Sequence, residues 1–327
     1  MKRLLNISTH TSDLDIIQNN WQTAKDFATR NGFDGYELYP VGTYDCTTIP
    51  SEIIASIHLR FFVILEPMWR SNHDRLIEIF GDEETIEHFY GGPNKQVIID
   101  AYRKQLALAQ QLGCGYVVFH VSQSELEYIY NWQFPWTWQE TVELSAEIVN
   151  EFTRDTPYKG EILFENLWWP GGLRLDSPDE VTYLLERVKY PRCGLVLDTG
   201  HVLNKNQNIR SEPQGIDYLI ETVRGLGELR NLIKAVHLTR SLSADYVVQS
   251  RRQPNPLEGT KNFWDRFILA HKHVIQIDQH DAFEDPGIAR LFDWISPKYV
   301  VFEFTYRDMA EWQAKITRQK KALGMEE

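Results

Sequence analysis

Cys193-Gly194-Leu195-Val196-Leu197-Asp198-Thr199-Gly200-His201 is the run from which the architecture of this chain can be worked out. Residues 194–197 are apolar and rich enough in branched side chains to form a buried strand. Asp198 follows at once, and His201 lies three residues further on. A carboxylate and an imidazole at the mouth of a buried strand can converge on one metal ion. Taken alone, the pair has a plainer reading, an Asp that caps the next turn and a His that is merely exposed. The same event recurs, however. Apolar runs end in His58 (53–58, IIASIH), His120 (116–120, YVVFH), Glu165 (161–165, EILFE), His237 (233–237, IKAVH) and Glu303 (299–303, YVVFE). Two further strands are expected at 4–8 and at 33–38, the second carrying Glu37.

Between these runs lie helical patterns. Residues 13–30 read as one helix with Gly32 just past its end, and 96–112 as another stopped by Gly113. Helices are also expected at 137–152, from a Ser177 cap with Pro178 at its first position to about 188, and at 216–226, 288–295 and 307–323. An aromatic-rich segment with Phe61, Phe62, Trp69, Phe80, Phe89 and Tyr90 follows the third strand, and a long irregular seventh loop is expected over about 238–286. Eight short strands alternating with helices predict an α/β fold, a (β/α)8 TIM barrel formed by residues 1–327 as a single domain. A doubly wound open sheet is the alternative. The barrel is preferred because it gathers all the strand C-ends, and with them Glu37, His58, His120, Glu165, Asp198, His237 and Glu303, around one axis.

Composition bounds the function. The 327 residues are 43% hydrophobic and 24% charged, with a net charge of −12, as in ordinary globular proteins. The acidic balance argues against broad non-specific binding to nucleic acid or anionic membranes. Cys46, Cys114 and Cys193 are far apart and form no CxxC, which predicts free thiols in a reducing compartment. Only a few apolar residues follow Met1-Lys2-Arg3, so no signal peptide is expected, and no apolar run approaches membrane-spanning length. A cytoplasmic location is expected.

Burying so many acids and imidazoles at strand ends without a counter-ion would be costly, so a metal site is expected. Asp278 and His280, an Asp-Gln-His in the seventh loop, add two more candidate ligands. At this point the chain resembles the xylose isomerase-like TIM-barrel superfamily, whose members include sugar isomerases, epimerases and the endonuclease IV branch of AP endonuclease family 2. The ligand order is most similar to endonuclease IV. His58 in HLRFFVIL and His120 in FHVS stand after the third and fourth strands, and Glu165 in FENLWWPG after the fifth. Asp198 and His201 in LDTGH follow the sixth, His237 in VHLTRS the seventh, and Glu303 in VFEF the eighth, with Asp278 and His280 in the seventh loop. The resemblance covers nearly the whole chain and implies nine ligands for two or three divalent ions.

Two departures bear on substrate. The DNA-repair members usually carry Asn-Asp-Ser after the seventh-strand histidine, where this chain has Leu238-Thr239-Arg240-Ser241, and glycine-rich turns where it has Trp168-Trp169-Pro170. Bulky aromatics suit a closed pocket for a small sugar or phosphate substrate better than an open groove, so duplex DNA is not the expected partner. Trp168 and Trp169 are candidate substrate-binding residues; a structural plug, or a platform for stacking a base or sugar, explains them equally. Glu37 could contact substrate hydroxyls or hold a ligating histidine. Arg240, with Arg251, Arg252 and Lys261, could clamp a phosphate, although a solvated face is the plainer reading.

Glu165, Asp198, His237 and Glu303 alone would suffice for a single-metal isomerase or epimerase, in which Glu165 and Glu303 shuttle a proton at a sugar carbon. The remaining ligands are surplus to that design. The carboxylates of Glu165, Asp198, Asp278 and Glu303 carry about −4; one divalent ion leaves about −2, whereas three bring about +2 and suit a phosphate oxyanion. The leading expectation is therefore metal-assisted hydrolysis of a small phosphoester. The alternatives are a sugar or sugar-phosphate isomerase or epimerase, an iron-dependent oxidative enzyme on the same ligands, and a non-catalytic sugar-binding barrel. Imidazole and carboxylate without thiolate fit zinc, manganese or iron alike. Oligomeric state is not legible in the sequence.

Overall fold

Parallel strands close on themselves in chain order: β1 Lys2–Ser8, β2 Gly35–Tyr39, β3 Ile54–His58, β4 Tyr116–His120, β5 Glu161–Glu165, β6 Cys193–Asp198, β7 Ile233–Leu238 and β8 Tyr299–Phe302, with β8 pairing back onto β1. This is a closed eight-stranded barrel, and the computed structural model from which it is taken describes residues 1–325.

The period-2 alternation of a strand sorts each run into two faces. Leu4, Tyr116, Val118, Leu163, Val196, Ala235 and Val301 point inward and pack together as the barrel's own core. Their alternates, including Phe119, Phe164, Leu197, Val236, Val300 and Phe302, face the helical layer and join the larger outer core. Counting two residues on from an inward position gives the metal-ligand candidates. His120 follows Val118, Glu165 follows Leu163, Asp198 follows Val196, His237 follows Ala235 and Glu303 follows Val301. The inner apolar plug thus ends where the polar cluster begins.

Register then sets the neighbours. His120 pairs with Glu165 and Asp198 pairs with His237 across adjacent strands, so their side chains emerge side by side. Asn166, next to Glu165, reinforces this: its amide donates to the Asp198 carbonyl at 3.1 Å and accepts the Asp198 N–H at 2.9 Å. The Thr199 hydroxyl donates to the Thr239 carbonyl at 2.6 Å and accepts the Thr239 N–H at 2.9 Å, tying the ends of β6 and β7.

Three expectations are corrected outside the barrel. The helix expected over 13–30 is two, Thr11–Ile16 and Trp21–Arg30, because Gln18 and Asn19 adopt positive φ (57° and 51°) and Asn20 caps the second helix. Polar residues tolerant of left-handed backbone break the pattern there. The 288–295 helix is a 3-10 segment, Pro286–Asp293. The seventh loop, expected to be irregular over 238–286, contains two helices, Ala244–Ser250 and Phe263–Ile277. The apolar stripe Phe263, Phe267, Ala270, Val274, Ile277 has helical spacing and accounts for the second. The three cysteines are free, and among the described residues no helix is long and apolar enough to cross a membrane.

Entry into β2 depends on a glycine. Gly35 has φ +144°, and a Cβ there would lie 2.5 Å from the Ile53 carbonyl oxygen, just before β3. Gly35→Ala is expected to cost more than about 1 kcal/mol of unfolding free energy, seen as a lowered urea midpoint at unchanged m value.

Candidate metal centre

The barrel mouth gathers its acids and imidazoles into three groups whose nitrogen and oxygen donor atoms lie within 4.8 Å of one another. His58, His120 and Glu165 form the first, Glu165, Asp198, His237 and Glu303 the second, and His201, Asp278 and His280 the third. Glu165 belongs to two of them. Its Oε2 lies 3.1 Å from His58 Nε2 and 3.0 Å from His120 Nε2. Its Oε1 lies 3.2 Å from His237 Nδ1 and 3.4 Å from His201 Nδ1. An overlapping group of Glu37, His58 and His237 satisfies the same criterion.

Three of the imidazoles have one nitrogen committed to an orienting partner, which leaves the other aimed inward. His58 Nδ1 contacts the Leu59 carbonyl at 3.1 Å. His201 Nδ1 contacts the Asn166 carbonyl at 2.8 Å, so its Nε2 turns to Asp278 Oδ2 at 3.2 Å. His237 Nε2 lies 2.8 Å from Glu37 Oε1, and its Nδ1 faces Glu165 and, at 3.0 Å, Glu303 Oε2. Asp198 splits its two oxygens: Oδ1 accepts the His201 N–H at 2.6 Å, capping the short Thr199–Asn204 helix, while buried Oδ2 has no hydrogen-bond partner. His280 adopts a positive φ of 45° that turns its Nε2 onto Asp278 Oδ2 at 2.7 Å.

The electrostatics describe a site short of cations. Burial pushes the Asp198 carboxyl up to about 8, and the neighbouring Glu303, Glu165 and Asp278 add to the rise. Burial also opposes charge on His280, yet Asp278 and Glu303 raise it to about 10. His237 is likewise held well above its ordinary range by Glu37, Glu303 and Glu165 against the effect of burial. Burial disfavours ionisation of Glu165, and the His120 and His237 imidazoles overcome it, holding the carboxyl well below its usual range. Divalent cations would meet the same demand. The donors are nitrogen and oxygen without thiolate, and the unpartnered Asp198 Oδ2 is a buried oxygen with nothing else to bind, so the residues present fit a metal.

Over residues 26–294 the sequence matches the family described as xylose isomerase-like TIM barrel. The chain belongs to this family. A curated relative, the probable endonuclease 4 of Mycoplasmopsis pulmonis (strain UAB CTIP), is 35% identical over 97 residues, which are 30% of this chain and 32% of that protein. The match thus spans about a third of the relative's length. The fold is also that of endonuclease IV from Thermus thermophilus (16% identity, TM-score 0.53, all of both chains) and of an L-ribulose 3-epimerase (13% identity, TM-score 0.51, 98% of this chain and 93% of the other). A 3-keto-D-glucoside 4-epimerase from E. coli gives 12% identity and a TM-score of 0.50 over 98% of each chain. At these identities the likeness establishes the shared barrel and leaves the reaction to the site.

In this xylose isomerase-like barrel the candidate substrate-binding residues separate. Glu37 is buried: its Oε1 lies against His237, it accepts from the Ser56 hydroxyl at 3.0 Å, and it also borders the cavity. Trp168 is buried with its ring 4.9 Å from that of His201 and backs that imidazole. Trp169 lines the cavity above the cluster. Arg240 is corrected from phosphate clamp to latch. Its guanidinium pairs with Glu212 at 2.5 Å and Asp281 at 2.7 Å, and its backbone pairs with Asp281, closing the base of the seventh loop so that Asp278 and His280 reach back over the barrel.

The cavity, about 450 Å³, is roofed by side chains absent from the sequence-based candidates: Phe61 from the third loop, Leu126 and Ile129 from the fourth, Phe267 and Val274 from the seventh. The helical stripe 263–277 was the available signal for the last two. Asn166, which braces Asp198, carried none beyond its place beside Glu165.

Two measurements probe the centre. An Asp278→Ala, His280→Ala double variant is expected to hold one ion fewer per chain by elemental analysis, with its far-UV circular dichroism unchanged. Glu37→Gln is expected to retain metal about 10–100-fold less well in chelator competition.

Proposed function

We propose that this chain is a metal-dependent hydrolase that binds two or three divalent ions, zinc, manganese or iron, and cleaves a phosphoester of a small substrate. The observation that carries the reading is the enclosure of Glu165. It is 1% exposed, and its two oxygens face four imidazole nitrogens at 3.0–3.4 Å. A proton shuttle at a sugar carbon must present a free oxygen to substrate; Glu165 has none, and its geometry suits a shared ligand. Glu303, with 16% of its side chain exposed, is the more accessible carboxylate and is where a runner-up isomerase or epimerase reading would have to place its base.

His58, His120 and Glu165 would hold one ion, Glu165, Asp198, His237 and Glu303 a second, and His201, Asp278 and His280 a third. Bound ions would polarise phosphoryl oxygens and lower the pKa of nearby water. The chain's own contribution is to fix the ligands through Glu37, Asn166 and the Leu59 carbonyl, and to wall the reacting group from bulk solvent with Trp169 and the roof. In the net reaction water adds to phosphorus, the phosphorus–oxygen bond to the leaving group breaks, and the departing oxygen takes up a proton.

The roof supports a small substrate over a duplex, while the relative named a probable endonuclease 4 brings DNA into the test. Phosphomonoesters, phosphodiesters, an abasic-site duplex and ketoses are to be assayed with wild type and Glu165→Gln across a metal titration. Cleavage of small esters is expected, with little duplex incision, and Glu165→Gln is expected to regain part of its activity in excess metal. Solvent deuterium appearing at a sugar carbon with no ester cleaved would sink the hydrolase reading. Efficient duplex incision at low protein concentration would replace the small substrate by DNA.

A further inference from the structure

The cavity above the metal-ligand cluster is two-faced. Its floor holds the carboxylates and imidazoles described above. Its roof is built from two inserted helices, Leu126–Asn131 in the fourth loop and Phe263–Ile277 in the seventh, which contribute Leu126, Ile129, Phe267 and Val274. Phe61 continues the apolar wall and packs edge-on to His120, with ring centroids 4.6 Å apart.

The two helices form one braced unit. The Tyr130 hydroxyl donates to the Leu269 carbonyl at 2.8 Å, and the Tyr130 ring stacks on His273 at 4.1 Å. Arg266 reaches Glu127 at 3.6 Å, and Arg75 pairs with both Glu125 and Glu127 from beneath. A ceiling anchored on both helices and from the His73–Phe80 helix holds the apolar face at a set height over the ligands.

The walls offer little to a polyol. Asn6 exchanges hydrogen bonds with the Phe304 backbone at 3.0 Å in each direction, Ser8 donates to Asp13 at 2.6 Å, and Glu37 is held by Ser56 and His237. Outside the ligand cluster, Tyr39, His271 and the unpartnered indole N–H of Trp169 are the remaining polar groups on the lining. Among the described residues no lysine or arginine lines the cavity. A sugar seated here would strip water from several hydroxyls and find few partners for them beneath the roof. A nucleic-acid backbone would bring phosphates beyond the scissile one with no cations to meet them.

Resting on the phosphoester reading above, we propose that the substrate is an ester with one charged and one apolar end: its oxyanion faces the metal ligands, and an aryl or branched alkyl group occupies the space between Phe61, Leu126, Ile129, Phe267 and Val274. The Phe267 side chain sets the preference for that group.

The test is isothermal titration of the metal-loaded full chain with phenylphosphonate, methylphosphonate and ribose 5-phosphate. Phenylphosphonate is expected to bind at least about tenfold tighter than methylphosphonate, the gain from burying a ring, and ribose 5-phosphate no tighter than methylphosphonate. Phe267→Ala is expected to erase most of the phenyl preference while leaving methylphosphonate affinity unchanged, and Phe267→Leu to restore part of it. Val274→Ser, a smaller change on the same face, is expected to act in the same direction if Phe267→Ala does not fold. Equal binding of the two phosphonates, or tightest binding of ribose 5-phosphate, overturns the apolar-end inference and leaves the phosphoester reading standing. Failure of all three to bind metal-loaded protein overturns the phosphoester reading itself.

Discussion

The Glu165 carboxylate holds the barrel mouth together. A fully buried charge is tolerated only when it is paired and its lone pairs are satisfied. Here four imidazoles from β3, β4, the turn after β6, and β7 converge on its two oxygens, and three of them are in turn set by another group. Glu37 behind His237, the Leu59 carbonyl behind His58 and the Asn166 carbonyl, which shares His201 Nδ1 with Glu165, make the arrangement stiff. Removing that carboxylate would leave a crowd of imidazoles with no common counter-charge.

The charge pattern also accounts for the division of labour between barrel and loops. Strands supply acids and imidazoles in pairs because register places inward residues side by side, as with His120 beside Glu165 and Asp198 beside His237. A barrel interior eight strands wide is filled by apolar side chains below that layer, so further ligands have to come from above. The seventh loop provides them. Arg240, bound to Glu212 and Asp281, closes the loop's base, and the loop delivers Asp278 and His280 to His201. The same loop carries the helix that borders the cavity, so one loop both completes the polar cluster and limits the space above it.

The family resemblance and the site geometry answer different questions. Membership in the xylose isomerase-like barrels explains why polar groups gather at the strand C-ends, and structural relatives with that fold include an endonuclease and epimerases. What separates reactions on such a scaffold is which carboxylate is enclosed and which is open, and what covers the cluster. Those are properties of side-chain packing, and in this chain they point to shared ligands under an apolar lid.

The barrel, and the gathering of acids and imidazoles at its mouth, were legible in the chain itself. Strand alternation is a local property, so runs such as YVVFH, EILFE and YVVFE announce both a buried strand and an inward residue at its end. The Asp198-to-His201 spacing is local too. Roles that depend on partners far along the chain emerge only on folding. Glu37 became the partner of His237 because closure of the barrel brings β2 and β7 to one mouth, 200 residues apart in sequence. Arg240 became a latch because Glu212 and Asp281 meet it from two other segments. Trp168 and Trp169, adjacent in sequence, part ways: one backs His201 and the other faces the cavity. The roof required Leu126 and Phe267 to meet over one cavity, a long-range contact that no window of sequence contains.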